Sequence, residues 1–273
     1  YWRSMIFSRI FENVQLVIEI DEDLYLKEEL VFRALLLSFV NEPPKDFLPT
    51  KTIHIYSSFL VCKGSFVCAE DDFYCICDTG KADWISTLMD FLEFCYTSIL
   101  DCTVLHGSCI RHNDKNILIL GERKSGKTTL TNYFIDNNAI YLDDDAVFLY
   151  HQSLIGFNTP IRMRKNTDNL MLLAKIDDAD NEVRYIYSME RHNIINYITK
   201  PDVVIFVKYK RNVTLTATRI NGFNLINRII LNVKDNSSLM GIYHDISNYF
   251  IDIPAYHIQY SSCHDVMKII SKL

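Results

Sequence analysis

The sequence predicts an α/β fold: a P-loop domain over residues 81–273, preceded by a smaller α+β domain over residues 1–80. Three observations predict it. Gly121-Glu122-Arg123-Lys124-Ser125-Gly126-Lys127-Thr128 stands between an apolar strand, 117–120, and a helix from about 128 to 136. A second apolar strand, 139–142, runs straight into Asp143-Asp144-Asp145. The first part has a different character, with strands and a helix stopped firmly by Asn41-Glu42-Pro43-Pro44.

Taken in order, 14–20 reads as a strand, and 28–40 repeats apolar residues at helical spacing. Residues 52–56 alternate as a strand should. The runs 59–67 and 73–77, split by Glu70-Asp71-Asp72, suggest a hairpin. Residues 82–100 form a long periodic helix, and a boundary is expected near Lys81. A polar turn at 111–116 leads into strand 117–120. Strand, phosphate loop, helix, strand and carboxylates make a nucleotide-binding order, expected on a parallel sheet. Residues 202–208 and 255–259 read as further strands, with a last helix from His264.

A chain of 273 residues can bury a full core. Its net charge of −6 argues against a nucleic-acid partner bound by phosphate neutralisation. The short run Lys208-Tyr209-Lys210-Arg211 reads as a solvated strand end. The eight cysteines form no CxxC pair and sit mostly in apolar stretches, as buried thiols of a reducing compartment do. No signal peptide is expected, and the sequence holds no apolar run of membrane-spanning length. The longest candidate, 30–40, is too short and carries Arg33. The expectation is a cytoplasmic protein without a membrane or nucleic-acid partner.

The Gly-x-x-x-x-Gly-Lys-Thr pattern carries specific chemistry. Its glycines let successive backbone N–H groups turn inward around phosphates, and the helix that follows points its positive end at the same charge. The candidate nucleotide-binding residues are Gly121, Lys124, Ser125, Gly126, Lys127, Thr128 and Thr129. Lys127 reaches the β- and γ-phosphates of ATP or another nucleoside triphosphate, and the Thr128 hydroxyl can ligate Mg²⁺. Among the three acids, one can hold Mg²⁺ and another can accept the proton of an attacking hydroxyl. If the strand persists, Asp143 and Asp145 share one face and Asp144 takes the other. The residues alone leave those roles open.

The run Leu105-His106-Gly107-Ser108, Ile117-Leu118-Ile119-Leu120-Gly121, Ser125-Gly126-Lys127-Thr128-Thr129 and Tyr141-Leu142-Asp143-Asp144-Asp145-Ala146-Val147 resembles the catalytic domain of HPr kinase/phosphorylase over about forty residues. The resemblance implies a P-loop fold of the HPr kinase/phosphoenolpyruvate carboxykinase type. It implies Asp144 as the base that deprotonates the acceptor serine, Asp145 as the acid near the metal, and His106 as the histidine beside the phosphate site. Lys127 and Thr128 keep their roles, and Asp143 receives none. Family members assemble into rings, which makes a homo-oligomer a candidate assembly. The layout is closer to the HPr-kinase-like proteins of peptide-modification gene clusters, some of which phosphorylate a serine of a lasso peptide.

Downstream, Arg162 and Arg164 are candidate cations for the transferring phosphoryl group. The segment 165–197 is the expected lid or acceptor-binding loop. Asp177, Asp178, Asp180 and Glu182 lack the calcium-loop pattern and read as solvated acids, and Glu190-Arg191-His192 as a helix surface. The leading expectation is an ATP- and Mg²⁺-dependent kinase acting on a serine or threonine of a peptide or protein, with the N-terminal domain recognising the acceptor. The alternatives are a kinase of the same fold for a free amino acid or sugar, and a nucleotide-binding regulator that phosphorylates nothing.

Overall fold

The computed structural model describes residues 3–11, 14–42, 50–57, 67–69, 72–77, 79, 83–164, 166–167, 169–177, 183–190, 193–234 and 239–272. The helix stop at Pro43-Pro44, the strand over 59–66 and the boundary at Lys81 lie outside these residues. So do Cys62, Glu70, Asp71, Lys165, Asp178, Asp180, Glu182, Arg191 and His192. The chain divides into two compact units, Tyr1–Leu100 with Thr159–Met189, and Asp101–Asn158 with Glu190–Leu273.

In the first unit β1 (Ser4–Phe11) and β2 (Val14–Asp21) pair antiparallel, from Ser4 opposite Asp21 to Phe11 opposite Val14. Asp21 caps α1 (Glu22–Lys27), its carboxylate accepting from the Leu24 N–H at 2.9 Å. α2 (Glu29–Leu35) buries Val31, Phe32, Ala34 and Leu35. It ends short of the expected 28–40 because Val40 exchanges backbone hydrogen bonds with Ser8 of β1, at 2.8 and 2.9 Å, which helical backbone could not do. β3 (Thr50–Ser57) and β5 (Asp72–Cys77) extend the sheet in parallel, and β4 (Val67–Ala69) closes it antiparallel to β5. Alternation buries Leu16, Ile18, Ile20, Ile53, Ile55, Cys75 and Cys77. α3 (Trp84–Leu100) stacks Trp84 near Phe32, Tyr96 on Phe39 and Phe94 edge-on to Phe73. Those rings are why the helix closes the first unit, although the sequence boundary near Lys81 lies ahead of it.

The second unit opens with β6 (Thr103–Leu105), β7 (Gly107–His112) and β8 (Lys115–Leu120). The expected polar turn over 111–116 narrows to Asn113-Asp114, both at positive φ, and the flanking residues join the hairpin. α4 (Lys127–Ile135), β9 (Ile140–Asp143), β10 (Val147–Tyr150) and β11 (Ser153–Ile155) follow. The chain then returns to the first unit as an antiparallel sheet of β12 (Ile161–Met163), β13 (Met171–Asp177) and β14 (Val183–Ser188) in the order β12-β14-β13. Part of the segment read as a lid is therefore a strand pair.

β15 (Tyr197–Ile198), β16 (Val203–Tyr209), β17 (Thr216–Ile220), α5 (Phe223–Ile230), α6 (Leu239–Phe250), β18 (Ala255–Tyr260) and α7 (Cys263–Ile270) complete the second unit. Its main sheet runs β17-β18-β16-β8-β7-β9, and β15-β11-β10-β6 form a second. The main sheet is mixed rather than parallel. β18, β16 and β8 are parallel, but β7 enters antiparallel between β8 and β9, so the two strands that flank α4 share a direction without touching. One sheet face carries Leu118, Leu120, Val204 and Phe206 in a core with Leu225, Ile229, Ile246 and Phe250 of α5 and α6. This packing fixes the sheet edge where β8, β9, β16 and β18 end and β7 begins.

Candidate phosphate site

The loop between β8 and α4 is held from several sides. Tyr209 donates its N–H to the Ser125 carbonyl at 2.8 Å, and the Tyr260 hydroxyl donates to the Gly126 carbonyl at 3.1 Å. The Gly121 N–H donates to Asn232 Oδ1 at 3.1 Å. Gly126 has φ +95°, and a β-carbon there would strike the Tyr260 hydroxyl. Only glycine meets both demands. Gly126 is also the N-cap of α4 and offers no side chain to its first N–H groups, which leaves that positive end for an anion. Among the described residues the buried Ser125 hydroxyl has no hydrogen-bond partner. Lys124, at φ +67°, and Thr129 are exposed, and Thr128 is half-buried.

Lys127 is buried, and its Nζ donates to the carbonyls of Gly121 at 2.8 Å and Glu122 at 3.2 Å. It also lies 3.1 Å from His106 Nε2. An ammonium donates only, so Nε2 accepts and the imidazole proton sits on Nδ1, which faces Asp145 Oδ1 at 2.9 Å. Lys127 has its pKa lowered by burial, against the pull of Asp144 and Asp145 and with the Lys234 charge adding to the lowering.

The three acids separate by environment. Asp143 is fully buried and binds backbone: the Phe157 N–H reaches Oδ2 at 2.7 Å and the Asp144 N–H reaches Oδ1 at 3.0 Å. It is a structural clasp between β9 and the chain after β11. Asp144 is also buried and accepts a short hydrogen bond from the Ser108 hydroxyl. Burial raises its pKa; the Ser108 hydroxyl lowers it, Asp145 raises it, and the Thr128 hydroxyl and Lys127 lower it. Asp145 is partly exposed, at φ +75°, and Lys234 stands 3.9 Å from its Oδ2. The strand ends at Asp143, so the alternation expected over the triplet does not continue, and Asp144 and Asp145 both reach the electrostatic range of Lys127.

The structure thus gathers Gly121, Ser125, Gly126, Lys127, Thr128, His106, Asp144 and Asp145 at one edge. Arg162 and Arg164 belong to the first unit, where Arg162 pairs with Asp90 at 2.7 Å. Ser108, Asn232 and Lys234 carried no assignment in the sequence. Ser108 stands in β7, two residues beyond His106, which lies in the bend between β6 and β7. Asn232 and Lys234 gave no local signal, since the fold brings them from beyond α5. Among the described residues no group of three or more His, Cys, Asp or Glu side chains could hold a metal ion, and no helix is long and apolar enough to cross a membrane.

No family model matches this chain, and no curated protein matches it. Among solved structures it is similar to the HPr(Ser) kinase/phosphatase from Coxiella burnetii, at 13% identity and a TM-score of 0.29. The match covers 62% of this chain and 92% of that one. A superposition that loose carries no weight in the functional argument, which rests on the residues of the site.

Proposed function

We propose that this protein is an ATP- and Mg²⁺-dependent kinase that transfers the γ-phosphoryl group to a serine or threonine hydroxyl of a peptide or protein. The observation that carries the reading is the meeting of a buried lysine and two carboxylates of different environment at the uncapped start of α4. The residues fit a triphosphate. The pinched glycines, the unpartnered Ser125 hydroxyl and the first N–H groups of α4 supply donors, and Lys127 supplies charge. Thr128 and Asp145 would hold Mg²⁺, which needs few protein ligands when phosphate oxygens complete its shell. When bound, the ion offsets phosphate charge.

Asp144 would act as general base. A carboxylate whose pKa is raised by burial is a stronger proton acceptor than one on the surface. The acceptor oxygen forms its bond to the γ-phosphorus as the bond to the β–γ bridging oxygen breaks. ADP leaves, and the hydroxyl proton passes to Asp144. His106, fixed between Lys127 and Asp145, orients both. Incubation with γ-labelled ATP, Mg²⁺ and a panel of serine peptides, HPr and free serine tests the reading. Label on a peptide serine that disappears in Asp144→Asn supports it. Tight ATP binding with label on no acceptor sinks it and favours a regulator, and label on free serine alone moves the acceptor to a small molecule.

A further inference from the structure

Beside the P-loop, the second unit carries a set of cations that phosphoryl transfer does not use. Lys208 lies near the end of β16 and Lys210 just after it, Arg228 is in the last turn of α5, and His257 is in β18. The register sets Phe206 beside His257 and Lys208 beside Gln259, so Lys208 is the diagonal neighbour of His257 across the parallel pair. Such diagonal neighbours are within reach of a long side chain. The Arg228 guanidinium lies 5.9 Å from the centre of the Phe206 ring, over that same pair of positions. Lys208, Lys210 and Arg228 are exposed.

Their charges meet at His257, whose pKa is lowered by burial and then by Arg228, Lys208 and Lys210, with Glu122 opposing. Glu122 is the second residue of the P-loop, which ties the cluster to the phosphate end of the sheet. No ion pair with a described residue neutralises Lys208, Lys210 or Arg228. In a chain of net charge −6 this is a local concentration of unneutralised positive charge.

We propose that this cationic shelf is the docking surface for an acidic acceptor segment, a peptide whose carboxylates flank the hydroxyl residue that receives the phosphoryl group. Charge complementarity steers such a peptide to the P-loop edge and holds its register there. The shelf is compact and the rest of the chain is acidic, a distribution suited to a few carboxylates rather than to a nucleic-acid backbone. The acceptor's role rests on the kinase reading, but docking can be measured without turnover.

The test uses the full chain, a fluorescein-labelled serine peptide flanked by glutamates and its glutamine-flanked counterpart. Anisotropy reads binding, and label from γ-labelled ATP reads transfer. Lys208→Glu with Arg228→Glu is expected to weaken the glutamate peptide roughly tenfold, to leave the glutamine peptide and ATP affinity nearly unchanged, and to reduce the salt-induced loss of binding. Lys210→Gln, which adds no negative charge, should give a smaller loss in the same direction. Binding that follows this pattern without transfer to either peptide upholds the shelf and defeats the kinase. Equal binding of both peptides with transfer intact overturns the shelf and leaves the kinase standing. Loss of ATP affinity without any change in peptide preference, or capture of single-stranded RNA in place of the acidic peptide, also overturns it.

Discussion

Burial pushes the Asp144 carboxyl above its ordinary range, and hydrogen bonds from Ser108 and Thr128 with the Lys127 charge pull it back. As the proposed base, Asp144 acts only when ionised, so the acid limb of the kcat profile should lie above the usual carboxylate range. Ser108→Ala removes a hydrogen bond that favours the charged form. It should move that limb to higher pH, while a purely structural role for Ser108 would lower activity evenly across the profile. A folded-state pKa raised above the unfolded one gives stability that is complete below the unfolded pKa and lost as pH rises through the folded pKa. Asp144→Asn should therefore unfold at higher urea than the parent at neutral pH, and the gain should fade on acidification. Lys127→Met tests the other charge. Losing one preorganised donor to a transferring group costs about 10²–10³ in kcat, and a loss below tenfold would remove Lys127 from the chemistry.

The loop between β8 and α4 is also a strand-end structure, because Tyr209 and Tyr260 grip Ser125 and Gly126 as β16 and β18 finish. Gly126→Ala meets both a positive φ and the Tyr260 hydroxyl. It should cost about 1–2 kcal/mol of stability from the backbone alone, with more from the collision. Adding Tyr260→Phe should recover the collision part and leave the backbone part, as a double-mutant cycle in urea would read. A fully additive cycle would mean that the loop shifts away from Tyr260. What was legible in the sequence stops where local pattern stops. Strand, loop, α4, β9 and the acids were readable because each is announced by local pattern within a few residues. The entry of β7 between β8 and β9 was not, since pairing partners are set by sheet topology rather than by spacing. The helix over 28–40 was overread because Val40 pairs with Ser8, a contact made far along the chain. Asn232 and Lys234 stayed hidden for the same reason.

Across the second unit, the candidate site is a meeting of segments distant in the chain, and their coupling runs through backbone as well as side chains. His106 donates its N–H to the Asn232 carbonyl at 2.6 Å, Lys234 donates its N–H to the Val104 carbonyl at 2.8 Å, and Leu105 bridges Val233. The Asn232 side chain in turn accepts from Gly121. A ligand that fixes the loop between β8 and α4 therefore also fixes the segment after α5, and that segment fixes His106. Mg²⁺-ATP, the proposed ligand, should stabilise the site-bearing state by about 2.7 kcal/mol at a hundredfold excess over its Kd. Hydrogen exchange should read this as slowed amides at 104–106, 121–128 and 232–234 together. β17, at the far edge of the same sheet and exposed along most of its length, supplies the internal control and should exchange as before. Slowing confined to 121–128 would mean that Asn232 and Lys234 hold the apo loop without taking part in binding. Slowing that spreads to β17 would mean that the sheet responds as one body and that the strap formed by residues 232–234 has no special part in it.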